Sequence, residues 1–103
     1  NSRASCVCVV NADDLLLGIF TDGDLRRLLC KSPSLLQSPI GEVAAKNPVS
    51  ISEGSLVAEV YYLMRKLEVD EIPVIDAHHH LTGMVDIQDL LKVDVGAKEF
   101  PVD

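Results

Sequence analysis

One stretch of the sequence combines a glycine, a hydroxyl side chain and a carboxylate where a strand is expected to run into a helix. It extends from Gly18 to Asp24 and reads GIFTDGD. A glycine lets the backbone pass close to a neighbour or a ligand, and the Thr21 hydroxyl can cap the helix that follows. Backbone N–H groups at a helix start can hold a phosphate, and Asp24 could accept hydrogen bonds from a ribose. The alternative is that Thr21 and Asp24 are only a helix cap and a first-turn acid.

A second stretch, from Gly83 to Asp89, repeats this pattern and reads GMVDIQD. Asp86 stands where the first stretch has Thr21, and a carboxylate at that position would repel a phosphate. Asp89 keeps the position of Asp24. The second stretch therefore predicts either a site for a nucleoside without a nearby phosphate or no ligand site.

The residues with metal-binding or nucleophilic side chains are interpreted as structural. His78-His79-His80 falls at a predicted turn, where neighbouring side chains splay apart and cannot all face one ion. The three cysteines lack the spacing of a zinc site or a disulfide framework, so we expect small buried hydrophobic side chains in a reducing compartment. The sequence contains no nucleophile elbow and no phosphate-binding loop. We predict no catalytic residue and no metal site.

Short strands and helices must position these residues. Apolar runs predict strands at residues 6–10, 15–20, 49–51, 72–75 and 81–85. Helical spacing predicts helices at residues 22–30, 40–45, 55–67 and 87–93, and Ser55 is the expected N-cap of the third helix. The apolar face of that helix is expected to lie in the core and to comprise Leu56, Val60, Leu63, Met64 and Leu67.

The sequence repeats itself after 65 residues without a gap: Val9 falls on Val74, Gly18 on Gly83 and Leu25 on Leu90. This predicts a duplicated unit of strand, helix, strand, strand and helix. We expect the C-terminal half of a first repeat at residues 4–30, a linker at 31–39, a second repeat at 40–93 and a tail at 94–103. The first repeat is expected to be incomplete at its N-terminus, which would leave apolar surface exposed.

The composition excludes several classes of protein. With 103 residues, of which 48% are hydrophobic and 4% aromatic, we expect one globular domain or two small units that share an aliphatic core. No apolar run approaches the ~20 residues of a transmembrane helix, and no signal peptide is expected. The formal net charge of −7 argues against nucleic acid or an anionic membrane as a partner.

The two motifs and the order of elements resemble those of a cystathionine-β-synthase (CBS) domain pair, also called a Bateman module. The family pattern is Gly, a hydrophobic residue, any residue, Ser or Thr, any two residues and Asp, at the start of the last helix of each repeat. The resemblance implies an α+β fold in which two repeats pack through their sheets and form clefts that often bind adenosine nucleotides.

The resemblance also implies roles for individual residues. Thr21 would contact phosphate or ribose, and Asp24 would contact ribose. At the second cleft, Asp86 and Asp89 occupy the motif positions. The residues implied for the base pocket there, with core packing as the alternative, are Val49 and Ser50 beside walls formed by Ile72 and Val74.

A longer string, GIFTDGDLRR from Gly18 to Arg27, is similar to the CBS region of D-arabinose 5-phosphate isomerases, where a sugar isomerase domain precedes a C-terminal CBS pair. These enzymes supply Kdo synthesis for lipopolysaccharide. The resemblance implies a cytoplasmic, non-catalytic regulatory or assembly module that forms homodimers within a tetrameric parent, with AMP, ATP or a nucleotide sugar as ligand. The alternatives are an adenosine-nucleotide sensor of another enzyme and a structural dimerisation module with vestigial clefts.

Overall fold

Two antiparallel hairpins, related by the 65-residue repeat, form the centre of the fold. The computed structural model of the chain describes residues 6–90. Residues 87–90 are helical. The other elements, in chain order, are β1 (Cys6–Val10), β2 (Leu16–Thr21), α1 (Asp22–Lys31), a 3-10 helix (Pro33–Gln37), α2 (Ile40–Val43), β3 (Ala45–Lys46), β4 (Ile51–Ser52), α3 (Val57–Leu67), β5 (Glu71–Ile75) and β6 (Leu81–Asp86).

The strands form two three-stranded sheets, in the orders β1-β2-β3 and β4-β5-β6. The two hairpins have the same register, because Cys6 pairs with Thr21 and Glu71 pairs with Asp86. Each also has one irregularity at the same place, after Val9 and after Val74. This correspondence agrees with the duplicated unit and the α+β fold predicted from the sequence.

The core lies in the second repeat, where α3 covers one face of the second sheet. Val60 and Met64, four residues apart on α3, are buried with Ile51 and Ile72. The partly buried side chains packed around them are Leu63, Val69, Val74, Val85, Ile87 and Leu90. Burial of this apolar stripe is what holds the helix on the sheet.

The tips of the two hairpins join the repeats through main-chain hydrogen bonds. Leu16 donates its N–H to the carbonyl of His79 at 3.1 Å, and Leu81 donates to the carbonyl of Asp14 at 2.9 Å. These two bonds are equivalent under the repeat, so the contact has approximate twofold symmetry. Both tip residues, Asp14 and His79, have positive φ, at 65° and 72°.

The start of α3 and the two ends of its expected apolar face differ from the prediction. Ser55 is not the N-cap of α3; Leu56 takes that position and is 66% exposed. The Leu56 N–H donates to Glu59 Oε1 at 3.1 Å, which is half of a capping box because leucine offers no acceptor in return. Leu67, at the other end of the expected apolar face, is 39% exposed.

Around the predicted linker the structure is also more regular than expected. A 3-10 helix occupies Pro33–Gln37. The helix predicted at residues 40–45 ends at Val43, and Ala45–Lys46 instead pairs with β2. The strand predicted at residues 49–51 is the two-residue β4, which runs parallel to β5. The predicted tail at residues 94–103 lies outside the described residues.

One face of the first sheet is more open than its counterpart. Val7 is 55% exposed, whereas Ile72, at the same position of the second repeat, is 2% exposed. In the second sheet this face is covered by α3. The expectation of exposed apolar surface in the first repeat is therefore confirmed for the described residues.

Candidate functional site

A cleft of about 470 Å³ lies where the two repeats meet. The first repeat contributes residues at the junction of β2 and α1. The second repeat contributes the segment before β4 and the connection from α3 into β5. The lining residues are Cys6, Ile19, Thr21, Asp22, Pro48, Val49 and the segment from Leu67 to Pro73.

Thr21 reaches the cleft because it ends β2 and caps α1. Its backbone is extended, with φ −112° and ψ 168°. Its Oγ1 accepts a hydrogen bond from the N–H of Asp24 at 3.1 Å. Because a hydroxyl can donate as well as accept, the Thr21 hydrogen is still available for an acceptor atom of a ligand.

Asp24 completes the cap rather than lining the cleft. Its Oδ2 accepts the N–H of Thr21 at 2.8 Å, and its Oδ1 is in an ion pair with Arg27. Partial burial opposes ionisation, but the hydrogen bonds from Thr21 and Arg27 outweigh it and lower the pKa of the Asp24 carboxyl. The structure therefore places Asp24 in the capping role that was the alternative to a ribose contact.

Val49 lies in the same cleft as Thr21, although the resemblance implies that it belongs to the cleft of the second motif. Its side chain is 54% exposed, and buried Ile72 lies in the wall nearby. Ser50 and Val74 are half-buried and lie outside this lining. The base-pocket pair Val49 and Ser50 is thus divided, with only the first of them at the cleft.

Asp86 and Asp89 are not among the residues that line the cleft, although Asp86 pairs with the lining residue Glu71 across β5 and β6. Asp86 Oδ1 accepts the N–H of Gln88 at 2.7 Å, so this carboxylate caps the helical residues 87–90. Asp89 is exposed on that helical segment. Of the six residues predicted for ligand binding, the structure brings Thr21 and Val49 together in one cleft.

The charged residues of the cleft wall are all acidic. They are Asp22, Glu68, Asp70 and Glu71, and the lining within the described residues contains no Lys, Arg or His. Three of these acids lie together in the sequence between Glu68 and Glu71. This clustering of acidic residues in the sequence, together with the net charge, could have indicated that a site of the protein is lined by carboxylates.

The two cysteines of β1 face the second repeat. Cys6 Sγ donates to Glu71 Oε1 at 3.0 Å, and Cys8 Sγ lies 3.3 Å from Met84 Sδ. Burial, with the adjacent Glu71 carboxylate, raises the pKa of Cys6 to about 12. Cys6 and Cys8 are half-buried, but Cys30 is exposed, so the prediction that all three are buried is wrong for Cys30.

The histidine turn is built around Asp76. Asp76 Oδ1 accepts the N–H groups of His78 and His80 at 2.8 and 2.9 Å, and Oδ2 lies 3.0 Å from the Nδ1 of His80. Within residues 6–90, no three His, Cys, Asp or Glu side chains are grouped to hold a metal ion. In the same part of the chain, no helix has both the length and the apolar character needed to cross a membrane.

Comparison of sequences relates the chain to known proteins. The model of the CBS domain family matches residues 40–96. The chain is 39% identical over 87 residues to arabinose 5-phosphate isomerase KdsD of Francisella tularensis, which covers 84% of this chain and 27% of that protein. The chain spans about a quarter of the length of the curated relatives that it matches.

Comparison of structures gives the same kind of fold. CBSX2 in complex with AMP superposes with a TM-score of 0.80 at 19% identity, over 94% of this chain and 76% of that one. The CBS domain pair of protein MJ0100, in complex with 5′-methylthioadenosine and S-adenosyl-L-methionine, superposes with a TM-score of 0.77 at 23% identity, over 93% and 74%. At these identities the likeness establishes the fold alone.

Proposed function

The chain belongs to the CBS domain family, and from that premise we propose that it is the non-catalytic regulatory or assembly-directing CBS pair of an arabinose 5-phosphate isomerase. The sequence match to such an isomerase over 84% of the chain supports this parent. By this proposal the parent enzyme provides a precursor for the synthesis of Kdo, which is used to make lipopolysaccharide. The free thiols of Cys6, Cys8 and Cys30 support the predicted cytoplasmic location, since that compartment keeps thiols reduced.

The observation that carries this proposal is the cleft at Thr21, whose walls come from both repeats. A nucleoside ligand there would meet the Thr21 hydroxyl at the start of α1 and the apolar side chains of Val49 and Ile72. Because it would touch both repeats, it would favour one relative placement of them over others. That difference in binding free energy is what a regulatory module passes to its parent.

Ligand binding and absence of turnover are tested on the 103-residue chain. We expect no conversion of arabinose 5-phosphate. We expect a shift of thermal unfolding with at least one nucleoside or nucleotide from a panel of AMP, ATP, a nucleotide sugar and 5′-methylthioadenosine. A ligand at 100 times its Kd stabilises the folded state by about 2.7 kcal/mol. Measurable turnover contradicts the proposal, and no shift with any member of the panel contradicts a regulatory role for the module.

Variants of the capping residues locate the binding site. Thr21→Val removes the hydroxyl and is expected to abolish the ligand shift, whereas Thr21→Ser keeps the hydroxyl and the shift. Loss of the cap itself costs ~1 kcal/mol, so each shift is measured from the unliganded baseline of the same variant. Asp86→Ala removes the corresponding cap outside the cleft and should leave the ligand shift unchanged.

We also propose that the module associates with a second copy of itself, as its resemblance to CBS domain pairs implies. Several apolar side chains that support this are exposed, among them Val7, Leu17 and Leu29. Exposed apolar surface of this kind favours association. Sedimentation velocity across a concentration series should show a dimer, and a monomer throughout would contradict the proposal.

A second candidate function is a structural dimerisation module whose clefts bind nothing. It is favoured by Asp24, whose two oxygens are already used by Thr21 and Arg27, and by Asp86 in place of a hydroxyl. A dimer that shows no shift with any ligand of the panel would support this function over the regulatory one.

A further inference from the structure

The outer face of α1 concentrates positive charge in an acidic chain. Three of the six lysines and arginines within residues 6–90 lie on this helix, at Arg26, Arg27 and Lys31. Together with Gly23 and Cys30 they line a shallow depression of about 250 Å³. None of these five residues lines the cleft between the repeats. The helix therefore presents a separate basic surface that the proposed function does not use.

The two arginines turn one end of each guanidinium toward Gly23. Arg26 Nη1 lies 3.4 Å from Asp22 Oδ2, and Arg27 Nη2 is paired with Asp24 Oδ1. The other ends, Arg26 Nη2 and Arg27 Nη1, lie 3.8 and 3.7 Å from the point that a Cβ on Gly23 would occupy. Because residue 23 has no side chain, both nitrogens border the same open space.

This geometry leaves hydrogen-bond donors available in the depression. A guanidinium has five N–H donors and no acceptor, and each of the two ion pairs uses a single guanidinium nitrogen. Lys31 forms no ion pair within residues 6–90. Thr21 Oγ1 lies 3.6 Å from the same point at Gly23, but it already accepts the Asp24 N–H in the helix cap. The donors that remain therefore belong to side chains of the basic face.

Three cationic groups around one small space favour a phosphate over a carboxylate. The fork of an arginine matches the oxygens of either anion. A phosphate monoester, however, offers three terminal oxygens and close to two negative charges, whereas a carboxylate offers two oxygens and one charge. The depression of about 250 Å³ is smaller than the pockets of about 300–1,000 Å³ that hold drug-sized molecules, so it suits a small ligand.

We propose that this depression binds the phosphate group of a small phosphate monoester. Arg26 Nη2, Arg27 Nη1 and the Lys31 ammonium would donate to the three phosphate oxygens. The inference goes beyond the proposed function, because the site lies outside the cleft and needs no nucleoside. The net charge of −7 opposes a larger polyanion, such as nucleic acid or an anionic membrane, on the same face.

The test is an NMR titration of the ¹⁵N-labelled 103-residue chain. The probes are ribose 5-phosphate, inorganic phosphate and acetate, compared at equal ionic strength and at about pH 8, where phosphate monoesters are dianions. We expect the amide resonances of residues 23–31 to shift, with both phosphates binding about tenfold or more tightly than acetate. Acetate binding as tightly as the phosphates overturns the ligand class. No shift in this segment overturns the site.

A pair of double variants tests whether these particular cations are responsible. Arg26→Gln with Arg27→Gln should weaken the binding of ribose 5-phosphate about tenfold or more, because hydrogen bonds to a charged group are lost. Arg65→Gln with Lys66→Gln removes two exposed cations of α3 and should leave the affinity unchanged. Circular dichroism verifies that both variants are folded. An equal loss in the two double variants would overturn the assignment to α1.

Gly23→Ala tests the geometry without changing the charge. The added methyl group fills the space between the two guanidiniums with ordinary contacts of 3.6–3.8 Å. Alanine favours a helix more than glycine does, so the variant should unfold at a higher temperature than the wild type and yet bind ribose 5-phosphate less tightly. An affinity equal to that of the wild type would overturn the binding geometry.

Discussion

Corresponding residues of the two repeats serve the same structural purpose with different chemistry. Asn11 Oδ1 accepts the N–H groups of Asp13 and Leu15, and Asp76 Oδ1 accepts those of His78 and His80. An amide closes one hairpin turn and a carboxylate closes the other. The repeat therefore shows which substitution at one position keeps the local structure while changing its charge.

Asp76→Asn should reduce the pH dependence of stability. The backbone N–H of His80, with further bonds from His78 and the His80 ring, lowers the pKa of Asp76 to about 2. A carboxyl with a depressed pKa stabilises the fold above its ordinary pKa of about 4, and that contribution is lost as the pH falls from there through about 2. The Asn variant keeps the turn, as Asn11 does, and lacks this titration.

The measurement is urea unfolding at several pH values across that window. The free energy of unfolding of the wild type should fall more steeply with decreasing pH than that of Asp76→Asn. Asp13→Asn removes a turn carboxylate that accepts no hydrogen bond within residues 6–90, and it should retain the wild-type slope. Identical slopes for all three proteins would refute the assignment.

The three thiols should differ in reactivity. Burial raises the pKa of Cys6 to about 12 and also raises the pKa of Cys8, whereas Cys30 is exposed. Because the thiolate is the nucleophile, iodoacetamide at about pH 8 should modify Cys30 first in the folded protein. Mass spectrometry of digested samples gives the order. Glu71→Gln should speed the reaction of Cys6, and early modification of Cys6 in the wild type would contradict the burial argument.

At the scale of secondary structure elements, the longer strands and α3 could be predicted from the sequence, and the two-residue strands could not. The hairpins and α3 follow from apolar spacing over several residues, which determines the face that is buried. Ala45–Lys46 is a strand only because the edge of β2 is there to pair with it. Likewise, two-residue β4 exists through its pairing with β5. Such elements depend on tertiary contacts that a local pattern does not contain.

The same limit applies to the candidate site. The capping role of Thr21 could be predicted because it depends on the neighbouring residues alone. The meeting of Thr21 with Val49 could not, since these residues belong to different repeats and come together only when the sheets pack. A comparison of the repeats by sequence assigns one cleft to each motif, whereas this cleft combines the first motif with residues of the second repeat that lie outside the second motif.

The two motif glycines should respond differently to substitution. A Cβ on Gly18 would lie 2.8 Å from the carbonyl oxygen of Ala45 in β3, whereas a Cβ on Gly83 would meet no described atom within 4 Å. Gly18→Ala should therefore destabilise the protein by about 1–3 kcal/mol. Gly83→Ala should be neutral or stabilise by up to about 1 kcal/mol. Denaturant unfolding of both variants measures this, and equal costs would show that the contact with Ala45 is not responsible.

At the scale of the whole molecule, stability is distributed unevenly. The buried cluster of Ile51, Val60, Met64 and Ile72 belongs to the second repeat. The first repeat contributes Leu16 to the buried residues, and its Val7 stays open to solvent. The second repeat is therefore expected to supply most of the free energy of folding.

Truncation of equivalent residues tests this asymmetry. Ile72→Ala removes a core side chain and should cost about 2–5 kcal/mol. Val7→Ala, at the same position of the first repeat, should cost less than about 1 kcal/mol. Thermal and urea unfolding at two protein concentrations provide the values. A cost for Val7→Ala as large as that for Ile72→Ala would mean that a second copy covers this face in solution.

The contact between the hairpin tips uses the main-chain groups of Asp14, Leu16, His79 and Leu81 and none of their side chains. Any residue except proline supplies the same N–H and C=O groups. After a duplication, either copy can therefore exchange its side chains while the two copies remain joined. This freedom allows one copy to keep a threonine at its helix start while the other acquires an aspartate, so that the two helix starts differ in charge although the hairpins keep the same register.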